Sequence, residues 1–215
     1  MSNIIVFIRQ IFSGKSIYRI LFNKEVSIHC AGLKGSGLDL AGSREASYYR
    51  FLPANIEVVK GNITTKGGVD KQIDFNVSLP FGNESFDFVL FFNAIYIAED
   101  PVLILKEISR VLKPGGKLFL ASPFISNEMP EPHDYQRFTS EGLNKLFSPL
   151  FFSSWIIYNF GERFSSSSYL LHPVFYFNIV RLTVYSLALI GDRLIPKGWR
   201  RNYPTPLGYF VVAKK

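Results

Sequence analysis

The clearest patterning in the chain lies between Leu79 and Phe124. Phe86 to Phe92 is an apolar run broken only by Asp87, the length of a strand buried on both faces. The polar turn Gly82-Asn83-Glu84-Ser85 precedes it. Further on, Asp100 stands before Pro101, an acidic cap followed by proline at the first helical position, which predicts a helix start. Ile104, Ile108, Val111 and Leu112 recur at helical spacing and form one apolar face. Lys113, Pro114, Gly115 and Gly116 end that helix with a cation near its negative pole and residues that cannot continue it. Lys117 to Ala121 reads as the next strand. Two parallel strands joined by a crossover helix imply an α/β sheet covered on both faces.

The same rhythms recur elsewhere. Gly37 to Leu40 predicts a strand that runs into the loop Ala41-Gly42-Ser43-Arg44-Glu45, and Ala46 to Leu52 a helix stopped by Pro53. Strands are expected over Ile56–Val59, Val69–Phe75, Ser153–Phe160 and Tyr209–Ala213. Thr139 or Ser140 caps a helix that Pro149 ends, and Ser165 to Ser168 reads as a serine-rich loop. Apolar residues at Ile5, Phe7, Ile8, Ile11, Phe12, Ile17 and Ile20 predict an amphipathic N-terminal helix over 3–22. Such a helix docks on its own domain or lies on a membrane. Arg9 interrupts the run, so it does not read as a signal peptide. Tyr169 to Ile190 is long and apolar enough to raise a bilayer span, but Arg181 at its centre is expensive in lipid. The segment therefore reads as a helix packed on the domain or lying at a membrane surface.

At 215 residues the chain is expected to form one domain over 1–215, and 47% hydrophobic residues supply a sizeable core. The single cysteine, Cys30, leaves no internal disulfide and fits a reducing, cytoplasmic compartment. The net charge of +7 suits an acidic partner or serves solubility alone. Arg181, Arg193, Lys197, Arg200 and Arg201 would favour anionic lipid if 169–201 meets the inner face of a membrane. No nucleic-acid motif accompanies the charge, and three scattered histidines give no metal-ligand spacing.

With these residues in view, the chain resembles the class I S-adenosylmethionine-dependent methyltransferases, in the subgroup called methyltransferase type 11. The resemblance rests on Leu79-Pro80-Phe81, Ser85-Phe86-Asp87, Glu99-Asp100-Pro101, Glu107-Ile108 and Arg110-Val111-Leu112-Lys113-Pro114-Gly115-Gly116. It covers roughly Gly37 to Phe147. The run Asp134-Tyr135-Gln136-Arg137-Phe138-Thr139, with Glu141-Gly142-Leu143, is similar to an element of members linked to polysaccharide biosynthesis. The resemblance implies a Rossmann-like, seven-stranded, mostly parallel sheet with helices on both faces. It also implies a C-terminal antiparallel strand pair, with a helical insertion over about 161–206 between the two strands.

The implied cofactor is S-adenosylmethionine, and its residues carry over one by one. Asp39 stands where the family has the acidic end of the first strand. The glycine-rich loop that follows in the family is altered: Ala41, Ser43 and Glu45 occupy glycine positions, and only Gly42 remains, out of register. Asn62 takes the place of the acid that accepts the ribose hydroxyls, and it lacks a carboxylate's paired acceptors. Asp74 and Phe75 correspond to the adenine-side pair, and Asn93 to the residue beside the methionine part. Asp39, Asn62 and Asp74 also have a plain structural reading as a strand end or turn residue. His133, as a general base or a solvated loop histidine, and Tyr135, as a substrate contact or a loop anchor, are the catalytic candidates. The function expected is methyl transfer to a small-molecule acceptor such as a sugar, glycan or lipid-linked group. The alternative is a non-catalytic module of the same fold that binds a partner or a membrane surface.

Overall fold

The computed structural model describes residues 3–65 and 67–215. Seven strands form one sheet: β1 Ser36–Asp39, β2 Glu57–Asn62, β3 Lys71–Gln72, β4 Phe86–Phe92, β5 Leu112–Pro123, β6 Ser154–Phe160 and β7 Gly208–Lys214. Their spatial order is β3-β2-β1-β4-β5-β7-β6. The first five run parallel, and β7 is inserted antiparallel between β5 and β6. This is the Rossmann-like, mostly parallel sheet with a C-terminal antiparallel pair expected from the sequence.

Among the described residues, seven α-helices accompany the sheet: α1 Asn3–Phe12, α2 Ile17–His29, α3 Pro101–Val111, α4 Ser140–Phe147, α5 Arg163–Leu170, α6 Asn178–Leu194 and α7 Lys197–Asn202. Strand alternation divides the core in two. Val89 and Phe91 of β4 point to the face covered by Ile104, Leu105 and Ile108 of α3 and by Leu143 and Phe147 of α4. Phe88, Leu90 and Phe92 point to the other, covered by Ile17 and Phe22 of α2 and by Tyr185 and Ala188 of α6. Asp100 accepts from the backbone N–H groups of Val102 and Leu103, so α3 starts where its cap predicted.

Several expected elements take another form. The single helix expected over 3–22 is two helices, because Gly14 adopts a left-handed φ of 76° and Ser16 caps α2 anew. The helix expected over Ala46–Leu52 is only a 3-10 turn at Tyr49–Phe51, and the strand expected over Val69–Phe75 shrinks to β3. Ser165 to Ser168 is helical, within α5. Glu162 and Ser165 cap that helix reciprocally, and the Asp192 carboxylate accepts from Phe164 N–H at its positive end. The apolar segment Tyr169–Ile190 is broken by a 3-10 turn at His172–Val174, where Pro173 cannot continue a helix. No helix among the described residues is long and apolar enough to cross a membrane.

The signature residues form a lock. Glu107 accepts from Leu79 N–H at 2.8 Å and holds Arg110 at 2.7 Å. Arg110 in turn donates to the carbonyls of Leu79 and Phe81. One ion pair on α3 thus fixes the loop 79–83 that feeds β4. Asp87 ties β4 to its neighbours by accepting from Ser36 N–H and Lys113 Nζ, both at 2.8 Å. Replacing Arg110 with alanine strips two loop carbonyls and a half-buried carboxylate of their donor. Arg110→Ala is expected to lower stability by about 1–3 kcal/mol, read as a lower urea midpoint with unchanged slope.

Candidate functional site

A cavity of about 570 Å³ opens at the carboxyl ends of β1, β2 and β4, beside the β1/β4 junction where the order of connections reverses. Ligands of open α/β sheets bind at that position. Its walls come from separate parts of the chain. The loop after β1 supplies Ala41, Ser43, Glu45, Ala46 and Ser47, with Tyr48 behind them. Asn62 ends β2, and Phe75 follows β3. Phe92, Asn93, Tyr96 and Ile97 come from the end of β4, Pro123 ends β5, and Met129 lies beyond it. Lys15, Ser16, Tyr18 and Arg19, at the start of α2, and Tyr169, from α5, close the remaining side.

The altered loop leaves this hollow open. Ser43 and Glu45 stand on its wall, and Arg44 turns outward toward Asp70, 3.9 Å away. Gly42 is needed for a different reason from the family's glycines: a Cβ there would lie 2.6 Å from the Asp39 carboxyl. Asp39 itself is fully buried behind the wall. It accepts from Tyr48 at 2.6 Å and Tyr49 at 2.7 Å, with Ala41 N–H at 3.4 Å. Burial pushes its carboxyl up to about 6, against the pull of the two tyrosine hydroxyls. Asp39 therefore braces Tyr48 and the loop.

Of the other expected cofactor residues, Asn62, Phe75 and Asn93 are brought together on the wall. Asn62 donates to the Gly42 carbonyl at 3.3 Å, which commits its amide N–H to the loop and leaves its oxygen for a ligand. Asn93 sits in the left-handed region at φ 54°, which asparagine tolerates better than most residues. Its side-chain oxygen accepts a short hydrogen bond from the Tyr18 hydroxyl. Asp74 lies away from the cavity, exposed, and accepts from Asn76 N–H in a local turn.

His133 and Tyr135 also stand off the cavity wall. Their rings stack at 5.2 Å, and the half-exposed Tyr135 hydroxyl donates to Glu99 at 3.3 Å. The loop that carries them is held by Asp134 and Arg137, which form an ion pair, and Arg137 lies over the Tyr96 ring at 4.9 Å. Arg137 thus couples this loop to the wall through Tyr96.

The residues not expected from the sequence are those of α2 and α5. Tyr18 and Asn93 are 75 positions apart, and no local pattern links them. Burial raises the Tyr18 phenol far above its usual range, so it remains a neutral donor. Lys15 and Arg19 face the cavity without an acidic partner among the described residues.

Residues 38–120 match the family model described as "Methyltransferase domain". The matched segment, which is less than half of the chain, is similar to the class I methyltransferases. The sheet order and the inserted antiparallel strand agree with that match. A solved SAM-dependent methyltransferase from Thermotoga maritima superposes with a TM-score of 0.60 at 16% identity, covering 99% of this chain and 96% of that one. Phosphoethanolamine N-methyltransferase 2 of Haemonchus contortus, solved with S-adenosyl-L-methionine, gives a TM-score of 0.61 at 15% identity, over 90% of this chain and 52% of that one. At such identities the likeness is one of fold. An uncharacterised protein of Methanocaldococcus jannaschii is 32% identical over 90 residues, which are 40% of this chain and 44% of that protein. The chain thus aligns with less than half the length of the curated relatives it matches.

The buried Asp39 carboxylate makes the stability of this chain depend on pH. Because folding raises the Asp39 pKa from 3.8 to about 6, the folded state favours the protonated acid. That contribution is complete below the unfolded value and is lost as pH rises through the folded one. Between pH 4 and 7 the wild-type chain should lose on the order of 2–3 kcal/mol relative to Asp39→Asn, measured by urea unfolding at each pH.

Proposed function

We propose that this chain transfers a methyl group from S-adenosylmethionine to a small-molecule acceptor. The cavity at the carboxyl ends of β1, β2 and β4 carries the reading, because Asn62, Phe75 and Asn93 share its wall. Its volume of about 570 Å³ lies within the range of small-molecule sites, about 300–1,000 Å³. The donor set suits the cofactor part by part. Phe75 offers an apolar surface to the adenine, the Asn62 oxygen accepts from the ribose, and Lys15 and Arg19 supply charge for the methionine carboxylate. Those two cations replace the attraction that the loop amides exert in a glycine-rich turn.

The cofactor supplies an already activated methyl group. What remains for this chain is to align an acceptor with it and to keep water away. Tyr18, Tyr96, Tyr169 and Met129 form an aromatic and apolar wall suited to that task. Glu45 is the acid on the wall, and it can take a proton if the acceptor is a hydroxyl. A sugar, glycan or lipid-linked acceptor fits the similarity at Asp134–Thr139, with the enzyme cytoplasmic and peripheral to a membrane. His133 and Tyr135 then act at the acceptor's entrance.

The side chains at Ala41, Ser43 and Glu45 favour one rival, a module of this fold that binds without catalysis. Isothermal calorimetry separates the two. S-adenosylmethionine is expected to bind with a dissociation constant below about 1 mM, and Arg19→Gln to weaken binding about tenfold. Dissociation weaker than millimolar, in a chain shown to be folded, selects the rival.

A further inference from the structure

The most unusual surface of this molecule lies away from the cavity, on α1, α6 and α7. Helix α6 is apolar on two sides. Tyr185, Ala188 and Asp192 face the domain, and Ile179, Leu187, Ile190 and Leu194 recur on the opposite side, where they are 53–78% exposed. Helix α1, which packs against α6, exposes Ile4, Ile5, Ile8 and Phe12. Large aromatics join them: Tyr176 and Phe177 before α6, and Trp199 and Tyr203 at α7, are all more than 60% exposed. Scattered apolar residues need no explanation, but a contiguous set on adjoining helices does.

The charge around this surface is one-sided. From Arg163 to Lys215 the chain has a single acid, Asp192, which is buried and occupied in capping α5. Among the described residues, Arg193, Lys197, Arg200 and Arg201 have no acidic partner. A groove of about 860 Å³ runs between α1, α2 and α6–α7, and it mixes the two chemistries: Ile4, Ile28 and Leu189 with Lys24, Arg193 and Arg200. The acids on its wall are engaged elsewhere, Glu25 with His29 and Glu162 with Arg163. Arg181 contributes nothing outward, because it turns back to donate to the Phe175 carbonyl at 2.7 Å.

We propose that the outer faces of α1, α6 and α7 dock on an anionic lipid bilayer. The surface has both attractions that such docking uses, apolar side chains for the acyl boundary and unpaired cations for the headgroups. Tyr, Trp and Phe side chains are the residues that settle at that boundary. The charge excludes a second copy of this chain as the occupant, since pairing two such faces would oppose cation to cation. No helix among the described residues is long and apolar enough to cross, so the docking proposed is of these helices lying along the bilayer surface. The docked face also adjoins the cavity rim. The turn after α1 leads straight into Lys15, Ser16, Tyr18 and Arg19, and Tyr169 on the wall is followed by the exposed Leu170 and Leu171. An acceptor held in the bilayer would therefore meet the site at its edge.

Vesicle flotation with the full chain tests this. The protein should float with phosphatidylglycerol-containing vesicles at low salt and remain behind with pure phosphatidylcholine. The double variant Leu187→Asp/Ile190→Asp changes only exposed positions and should abolish flotation. Lys197→Glu/Arg201→Glu should weaken it by about fivefold for each cation reversed. Circular dichroism confirms that each variant is folded. Cofactor calorimetry on the same variants keeps this proposal separate from the methyl-transfer reading, since retained cofactor binding with lost flotation supports docking whatever the acceptor. Equal recovery on both vesicle types, undiminished flotation of the folded aspartate variant, or a dimer that the aspartate variant dissolves would each overturn it.

Discussion

The site depends on a carboxylate that water never reaches. Asp39 ends β1 fully buried, and an unpaired charge there would cost several kcal/mol. Two tyrosine hydroxyls and a backbone N–H satisfy it, and each of those donors belongs to the segment that follows β1. Meeting the electrostatic demand of one residue therefore folds residues 41–49 over the end of the strand. Gly42 lets that segment approach closely enough, and Tyr48 comes to stand behind the cavity wall. Ala41, Tyr48 and Tyr49 tie the altered loop back to the strand it came from, and Asn62 and Gly67 hold it from the side of β2.

Conserving a motif's residue types is different from conserving their contacts with a ligand. The residues that carry the family resemblance hold the scaffold: Glu107 and Arg110 lock the loop before β4, and Asp87 joins β1, β4 and β5. None of the three lines the cavity. Cavity chemistry comes from residues outside the matched segment, chiefly the start of α2, and from Asn62 and Asn93 at strand ends.

The segments that flank the sheet core give the molecule two unlike sides. Helices α1, α2, α5 and α6 cover one face of the sheet, yet α1 and α6 leave apolar side chains on their outer surfaces too. A helix apolar all round is normally buried. Here the outer side of α6 stays exposed, and Arg193, Lys197, Arg200 and Arg201 follow at its end without an acidic partner among the described residues.

Much of the architecture was legible along the chain. Strand β4 and the Asp100–Pro101 start of α3 follow from local periodicity and capping, because those signals act within a few residues, whereas the antiparallel β6–β7 pair was implied by the family resemblance. Asn62, Phe75 and Asn93 were singled out by the family resemblance, and the structure brings the three to one cavity wall, because strand ends in this topology converge on one rim. The division of 3–22 into two helices, the helical serines of α5, and the placing of Tyr18, Arg19 and Tyr169 beside Asn93 depended on contacts across many residues, above all Asp192 with α5 and Tyr18 with Asn93. Periodicity tells which face of an element seeks burial, but the partner that covers that face is chosen only when the whole chain competes for the same core.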